Sequence, residues 1–262
     1  MKYLPRKNTP VTGPSAQNDP SVDTTAICRG RPSYVWRAGQ ERRLEIVREY
    51  VSLAGRRILD LGCGVGMYTA AFGRYSREVY GVEVELDRAV EAAGRAQGVA
   101  LAVGEALPFA DGTFDLVFSH EVLEHVADDR QTVREMVRVT RAGGQIAIFV
   151  PNRLWPFETH GIYWRGRYHF GNIPLVNYLP DALRNRLAWH VRVYTRRGLL
   201  ALFDGLPVRP VAQRTVYPGF DNVVSRQPRL GRAIRALAYR FERWPLLDRL
   251  GLSHFVLFER LA

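Results

Sequence analysis

Long apolar runs are absent from this 262-residue chain. No stretch approaches the roughly 18 residues of a membrane-spanning helix. The opening MKYLPRKNTPVTGPSAQNDPS has no apolar core of a secretory signal, so the cytoplasm is the expected home. Cysteine is almost missing. Cys28 and Cys63 are the two present, and Cys63 sits inside a glycine run, which argues against a disulfide framework and a cysteine zinc site. Lysine is nearly absent too, only Lys2 and Lys7, so the basic charge is carried by arginine. No internal repeat is visible.

What the chain has in excess is positive charge, unevenly spread. Residues 1–150 balance 19 Lys+Arg against 19 Asp+Glu, whereas residues 151–262 hold 18 Arg against 7 acids, so the whole net +11 lies in the second part. Such a lobe suits a solvated face, an anionic acceptor or peripheral contact with a phospholipid surface. No feature spells out specific nucleic-acid binding.

Residues 1–33 are rich in Pro, Ser, Thr, Asn and Asp and read as a flexible tail. From residue 34 to 262 a single domain is expected. Leu44, Val47 and Val51 have helical spacing, ending near Gly55. Strands are expected at 57–61, 77–85, 99–104, 112–120 and 144–151, alternating with helices after Gly66, over 86–98 and over 128–144. For the last of these, Asp128 or Asp129 would be the cap and Gly143 the stop. Strands alternating with helices imply a doubly wound, mostly parallel sheet, with a ligand beyond the carboxyl ends of its strands. This core occupies 34–150. Residues 151–193 read as an acceptor-side insertion, and 194–262 as C-terminal helices and strands. In that last part Thr195 caps a helix, and a basic helix over 229–244 carries an apolar stripe, Ile234, Leu237 and Phe241, expected to pack on the body.

The segment RRILDLGCGVGMYTA (56–70) places Gly62, Gly64 and Gly66 at alternate positions after Asp60. A nucleoside-triphosphate loop needs Gly-Lys-Ser/Thr, and Gly66 is followed by Met67 and Tyr68. A dinucleotide fingerprint needs a third glycine where Met67 stands. An acid just before the loop repels a pyrophosphate and welcomes an ammonium group. Glu83 ends the second strand, where a carboxylate meets ribose hydroxyls. Glu105 follows the third and can accept from an adenine amino group.

The residues Asp60-Leu-Gly-Cys-Gly-Val-Gly66, Gly81-Val-Glu83, Gly104-Glu-Ala106 with Leu107-Pro-Phe109, Phe114-Asp-Leu-Val117 and Glu121-Val-Leu-Glu-His-Val126 occur in that order. Together they resemble the class I S-adenosylmethionine-dependent methyltransferases, in particular the small-molecule, type 11 group related to the ubiquinone and menaquinone enzymes. The resemblance implies a Rossmann-like α/β fold: a seven-stranded sheet with an antiparallel last strand, here 253–260, plus a C-terminal insertion or lid. It also implies S-adenosyl-L-methionine as cofactor and S-adenosyl-L-homocysteine as product. By position, Gly62, Gly64 and Gly66 would let the cofactor lie on the backbone, with Asp60 at its amino-acid end. Glu83 would hold the ribose, and Glu105 with the Ala106 amide would read adenine. Ser119 and His120 would flank the sulfonium and methyl. The helix with Trp36 and Arg37 resembles a cofactor lid.

The acceptor side is less marked. His160, after the fifth strand, is the first-choice catalytic base, with His120 beside the methyl, and Trp155, Pro156 and Phe157 could wall an acceptor pocket. His190 reads as a substrate contact or a cap, and His254 as structural. Glu121, Glu124 and His125 have spacing i, i+3, i+4, which on a helix would put them on one face as a divalent-metal constellation. The same residues more often only order the chain, and no metal is expected. The expected activity is O-methylation of a small-molecule, sugar- or lipid-linked acceptor by a monomer or homodimer. C- or N-methylation, non-catalytic cofactor binding and a nicotinamide-dependent oxidoreductase are the alternatives.

Overall fold

A computed structural model describes residues 34–262, so the expected tail at 1–33 and Cys28 lie outside the described residues. In chain order, the first half alternates helix and strand: α1 (Ala38–Tyr50), β1 (Ile58–Leu61), α2 (Met67–Gly73), β2 (Val79–Glu83), α3 (Leu86–Ala93), β3 (Gly98–Leu101), β4 (Phe114–His120), α4 (Asp129–Val139) and β5 (Thr140–Pro151). An irregular stretch follows, with β6 (Phe157–Glu158), β7 (Ile162–Trp164), β8 (Arg167–His169), β9 (Ile173–Pro174) and α5 (Asp181–Leu187). The chain closes with α6 (Arg196–Leu200), β10 (Val208–Val216), α7 (Asp221–Arg226), α8 (Pro228–Phe241) and β11 (Ser253–Arg260).

All four residues of β1 are buried, the behaviour of a central strand covered on both faces. The seven-stranded sheet has the order β10-β11-β5-β4-β1-β2-β3. Strands β1 to β5 run parallel, and β11 is antiparallel to both β5 and β10. The order reverses between β1 and β4, which opens a crevice at their carboxyl ends.

The two-residue period of the strands divides the core. Leu59, Val117, Ile146, Ile148 and Val256 point to the face covered by α4, through Val133 and Met136. Ile58, Leu116, Phe118, Phe149 and Phe255 point to the face covered by α1 and α2, through Leu44, Val47 and Phe72. This parity decides which polar residues can share a site.

Two expectations are corrected. Asp128 does cap α4, accepting from the Gln131 amide at 2.9 Å, but the helix ends at Val139 and not at Gly143. Thr140 already pairs with Phe114, and the register then slips before Leu116 meets Gln145, so Gly143, at φ 70°, serves a bulge inside β5. The stripe of α8 also differs. Ile234 and Phe241 are half-buried and Leu237 is 53% exposed. The helix packs instead through Ala238 and Gly231, where a Cβ would lie 2.5 Å from the Val224 backbone.

Candidate functional site

A cavity of about 870 Å³ occupies the crevice beyond β1 and β4. Its floor is the loop after β1. Gly62, Gly64 and Gly66 all have positive φ (69°, 55° and 82°), the region that favours glycine. A Cβ on Gly62 would lie 2.4 Å from Val122 Cγ2. Gly62 and Gly64 line the cavity, whereas Gly66 does not. Gly66 caps α2 and lets it approach α3, where a Cβ would meet the Ala92 Cα at 3.1 Å.

Asp60 and Glu83 sit on the same sheet face, Asp60 being registered with Gly81. Asp60 is 2% exposed and accepts from the Thr69 hydroxyl at 2.7 Å. Burial, with the neighbouring Glu83 charge, pushes its carboxyl up to about 7 despite that bond. Glu83 Oε2 accepts from the Gly64 amide at 2.9 Å, and Oε1 from the amides of Val84 and Glu85 at 2.8 and 3.0 Å. A carboxylate offers about four acceptor sites, so roughly one is left for a ligand hydroxyl. Glu83 therefore pins the glycine loop as well as facing the cavity.

Glu105 lines the cavity and accepts from the Asp128 amide at 3.0 Å. Ala106, its expected partner in reading a base, lies outside the lining, and its amide donates to the Val103 carbonyl at 3.2 Å. Ser119 and His120 part company because successive strand residues face opposite ways. His120 lines the cavity against Tyr68, at 5.0 Å between ring centroids. Ser119 is fully buried outside the lining. Burial drops the His120 pKa to about 4, so its ring is neutral at physiological pH.

The helical spacing of Glu121, Glu124 and His125 is not realised. Glu121 has φ 55°, the chain breaks from β4 there, and residues 121–127 form no helix, with a turn over 123–125. Another trio forms: Glu124, His125 and His160 each offer a ligand atom within 4.8 Å of the others, close enough for one divalent cation to bridge. Both Glu124 carboxylate oxygens are buried without a hydrogen-bond partner, and burial holds this carboxyl well above the usual range. Glu121 is held well below it: the charges of His120, Arg43, His160 and His125 outweigh its burial.

His160 reaches the cavity, as do Thr159, Tyr168 and Phe170. Trp155 and Phe157 do not. Trp155 packs edge-on against Tyr217 at 6.1 Å, and Phe157 is 38% exposed. The expected wall of Trp155, Pro156 and Phe157 is thus not formed; the aromatic residues on this side of the cavity are Tyr168 of β8 and Phe170 just beyond it. Trp36 and Arg37 also lie outside the lining; Gln40 of α1 reaches it, and Trp36 packs on Tyr68 at 5.1 Å.

Two residues that sequence reasoning missed hold His160. Glu158 Oε1 accepts from the His160 amide at 2.9 Å and lies 3.2 Å from its Nδ1. A carboxylate only accepts, so Nδ1 carries the proton and Nε2 is left for the cavity. Glu158 Oε2 accepts from Arg184 Nη2 at 2.7 Å, and both side chains are about 1% exposed. Burial works against the Glu158 charge, but the hydrogen bond from His160 and the His160 and Arg184 charges hold it to about 2. The His160 carbonyl accepts from the Tyr168 hydroxyl and, at 3.1 Å, from His190 Nε2. His190 is thus a brace beneath the site. His254 is buried and donates to the Tyr194 carbonyl at 3.0 Å, in keeping with a structural role. Glu158 and His160 are two residues apart, and an acid so near the histidine was the one available signal; Arg184 had none.

Comparison with known proteins adds the following. Residues 59–148 match the family model described as a methyltransferase domain. A protein of Mycobacterium sp. strain JLS, described as an uncharacterized methyltransferase, is 42% identical over 111 residues, which cover 40% of this chain and 43% of that protein. The chain thus spans under half the length of such relatives. An S-adenosylmethionine-dependent methyltransferase from Mesorhizobium loti shares the fold with a TM-score of 0.58 at 18% identity, covering 85% of this chain and 98% of that one. The N-methyltransferase NodS from Bradyrhizobium japonicum, solved with S-adenosyl-L-homocysteine, aligns with a TM-score of 0.51 at 14% identity, covering 86% and 88%.

Proposed function

We propose that this protein, whose residues 59–148 match the family model described as a methyltransferase domain, transfers a methyl group from S-adenosyl-L-methionine to a hydroxyl of a small-molecule, sugar- or lipid-linked acceptor. Asp60 meets the cofactor's ammonium, Glu83 a ribose hydroxyl and Glu105 the adenine edge, over the glycine floor. Methyl transfer is an in-line displacement at carbon. Bound there, S-adenosyl-L-methionine would supply an activated methyl group and depart as the neutral thioether once the acceptor oxygen had bonded to that carbon, and His160 Nε2 would take the acceptor proton. Positioning alone can be worth roughly 7–11 kcal/mol in such a step.

The observation that carries this reading is that His160, held from behind by the buried Glu158–Arg184 pair, lines the same cavity as Asp60 and Glu83. An ion pair at about 1% exposure is costly to build, and here it fixes one histidine tautomer facing the site. The test is incubation with radiolabelled cofactor and fractionated extract, comparing wild type with His160→Ala. Label should enter one fraction, with turnover of the variant reduced about 10²-fold or more and product-analogue affinity little changed. Equal loss of both would remove His160 from catalysis.

A second reading is supported by the orphaned Glu124 oxygens. If a divalent cation is held by Glu124, His125 and His160, His160 is a ligand and not the base. Calorimetric titration with Mn²⁺ of wild type and Glu124→Gln separates the two. Heat from the wild type alone favours the cation.

A further inference from the structure

Strand β10 is antiparallel to β11, which is antiparallel to β5, so β10 runs with the five parallel strands. Residues 217–252, which carry α7 and α8, therefore leave and re-enter the sheet at its carboxyl end, where the cavity opens. Leu252 and Ser253 are part of the cavity lining.

The side of α8 away from the body is not polar all round. Leu230 and Leu237, two turns apart, are 52% and 53% exposed, and Trp244 and Leu246 just beyond the helix are 52% and 79% exposed. Around them Arg229, Arg232, Arg240 and Arg243 are exposed. Of the three acids in this segment, Asp248 is half-buried and the other two are paired. Asp221 pairs with Arg235 at 3.0 Å, and buried Glu242 pairs with Arg42 at 2.8 Å. The exposed side is thus apolar residues among arginines, with no exposed acid from Asp221 to Leu246 outside the paired Asp221.

We propose that this face of α8 docks the protein on an anionic lipid bilayer, leucines and Trp244 entering the headgroup boundary and the four arginines meeting lipid phosphates. A second copy of the chain is a poor occupant, because a symmetric contact sets arginine against arginine. Nucleic acid would satisfy the arginines but leave Leu230, Leu237 and Leu246 unburied. A second element at the same end has the same chemistry. In the hairpin β7–β8, Trp164 is 54% exposed beside exposed Arg165 and Arg167, while Tyr168 of the same hairpin lines the cavity. Docking would bring the cavity mouth to the membrane surface. That consequence for a lipid-linked acceptor rests on the methyl-transfer reading; the docking itself does not.

The test is sedimentation of the full chain with vesicles of phosphatidylcholine alone and of phosphatidylcholine mixed with phosphatidylglycerol, over a range of NaCl. Binding is expected to the mixed vesicles only, falling with salt. Arg240→Ala with Arg243→Ala should weaken it about fivefold per arginine, and Leu237→Glu should weaken it again. These side chains are exposed, so thermal melts and product-analogue binding should stay as in wild type. The proposal is overturned by equal binding to both vesicle types, by none to either, or by mixed-vesicle binding that survives all three substitutions. Tight binding of duplex DNA in preference to vesicles, or a dimer in gel filtration that Leu237→Glu splits, would equally overturn it.

Discussion

Replacing Asp60 with asparagine should stabilise the protein while destroying the proposed cofactor site. The Asp60 carboxyl is 2% exposed, and burial with the Glu83 charge raises its pKa from 3.8 to about 7. The folded state therefore holds this proton more tightly than the unfolded chain. Its stabilising share is whole below pH 4 and is lost as pH climbs through 7, above which the ionised group is a full penalty. At ~1.4 kcal/mol per pH unit the ceiling is ~4 kcal/mol, and relaxation and water entry reduce it to ~2 kcal/mol. Asparagine keeps the shape and can still accept from the Thr69 hydroxyl. Thermal melts at pH 4.5 and pH 8 measure the difference. The variant should match wild type at the lower pH and melt roughly 4–8 °C higher at pH 8. Calorimetry should find its affinity for S-adenosyl-L-homocysteine lost. Wild-type affinity should fall as pH drops below 7, since the ammonium needs the ionised acid. A variant no more stable than wild type at pH 8 would show that Asp60 is not strained by its burial, and the account of this acid would fail.

Other substitutions probe the rest of the site. Gly62→Ala adds a Cβ 2.4 Å from Val122 to a residue at φ 69°, and should cost ~2 kcal/mol or more in urea unfolding. Glu158→Gln leaves Arg184 buried beside a neutral partner and frees the His160 ring. Turnover should fall toward that of His160→Ala and stability by ~3 kcal/mol, whereas Glu158→Asp should recover part of the turnover. Ser119→Ala should leave cofactor affinity unchanged, because that side chain is outside the cavity lining; a tenfold loss would contradict its placement. Glu124→Gln should remove any thermal stabilisation that added Mn²⁺ confers on the wild type.

Much of the core was legible because its signals are local. Strands β1 to β4 are short, mostly apolar runs, α2, α3 and α4 each have a glycine or a capping aspartate at one end, and Asp60 and Glu83 lie at or next to the ends of adjacent strands. The failures have physical causes. Ser119 was paired with His120 though a strand turns neighbours to opposite faces. Glu121, Glu124 and His125 were put on a helix, but a positive φ at Glu121 turns the chain first. Gly143 looked like a helix stop because a bulge and a C-cap ask for the same backbone. The stripe on α8 was expected to be buried, but helical spacing records that a face is apolar and not what covers it.

The alternation of strands and helices as far as β5, the open glycine turn and the two acids beside it depend on neighbours along the chain, and the amino-acid order carries them; the short strands and helix between 157 and 187 are not readable in it. Packing between distant segments sets Glu158 and Arg184 behind His160, turns His125 and Glu124 toward that same ring, and brings Tyr168 of β8 to the cavity. Glu158 and Arg184 are 26 residues apart, and no periodicity connects them. Their meeting is set by how the stretch after β5 folds over the sheet, where burial makes one pairing of charges far better than none.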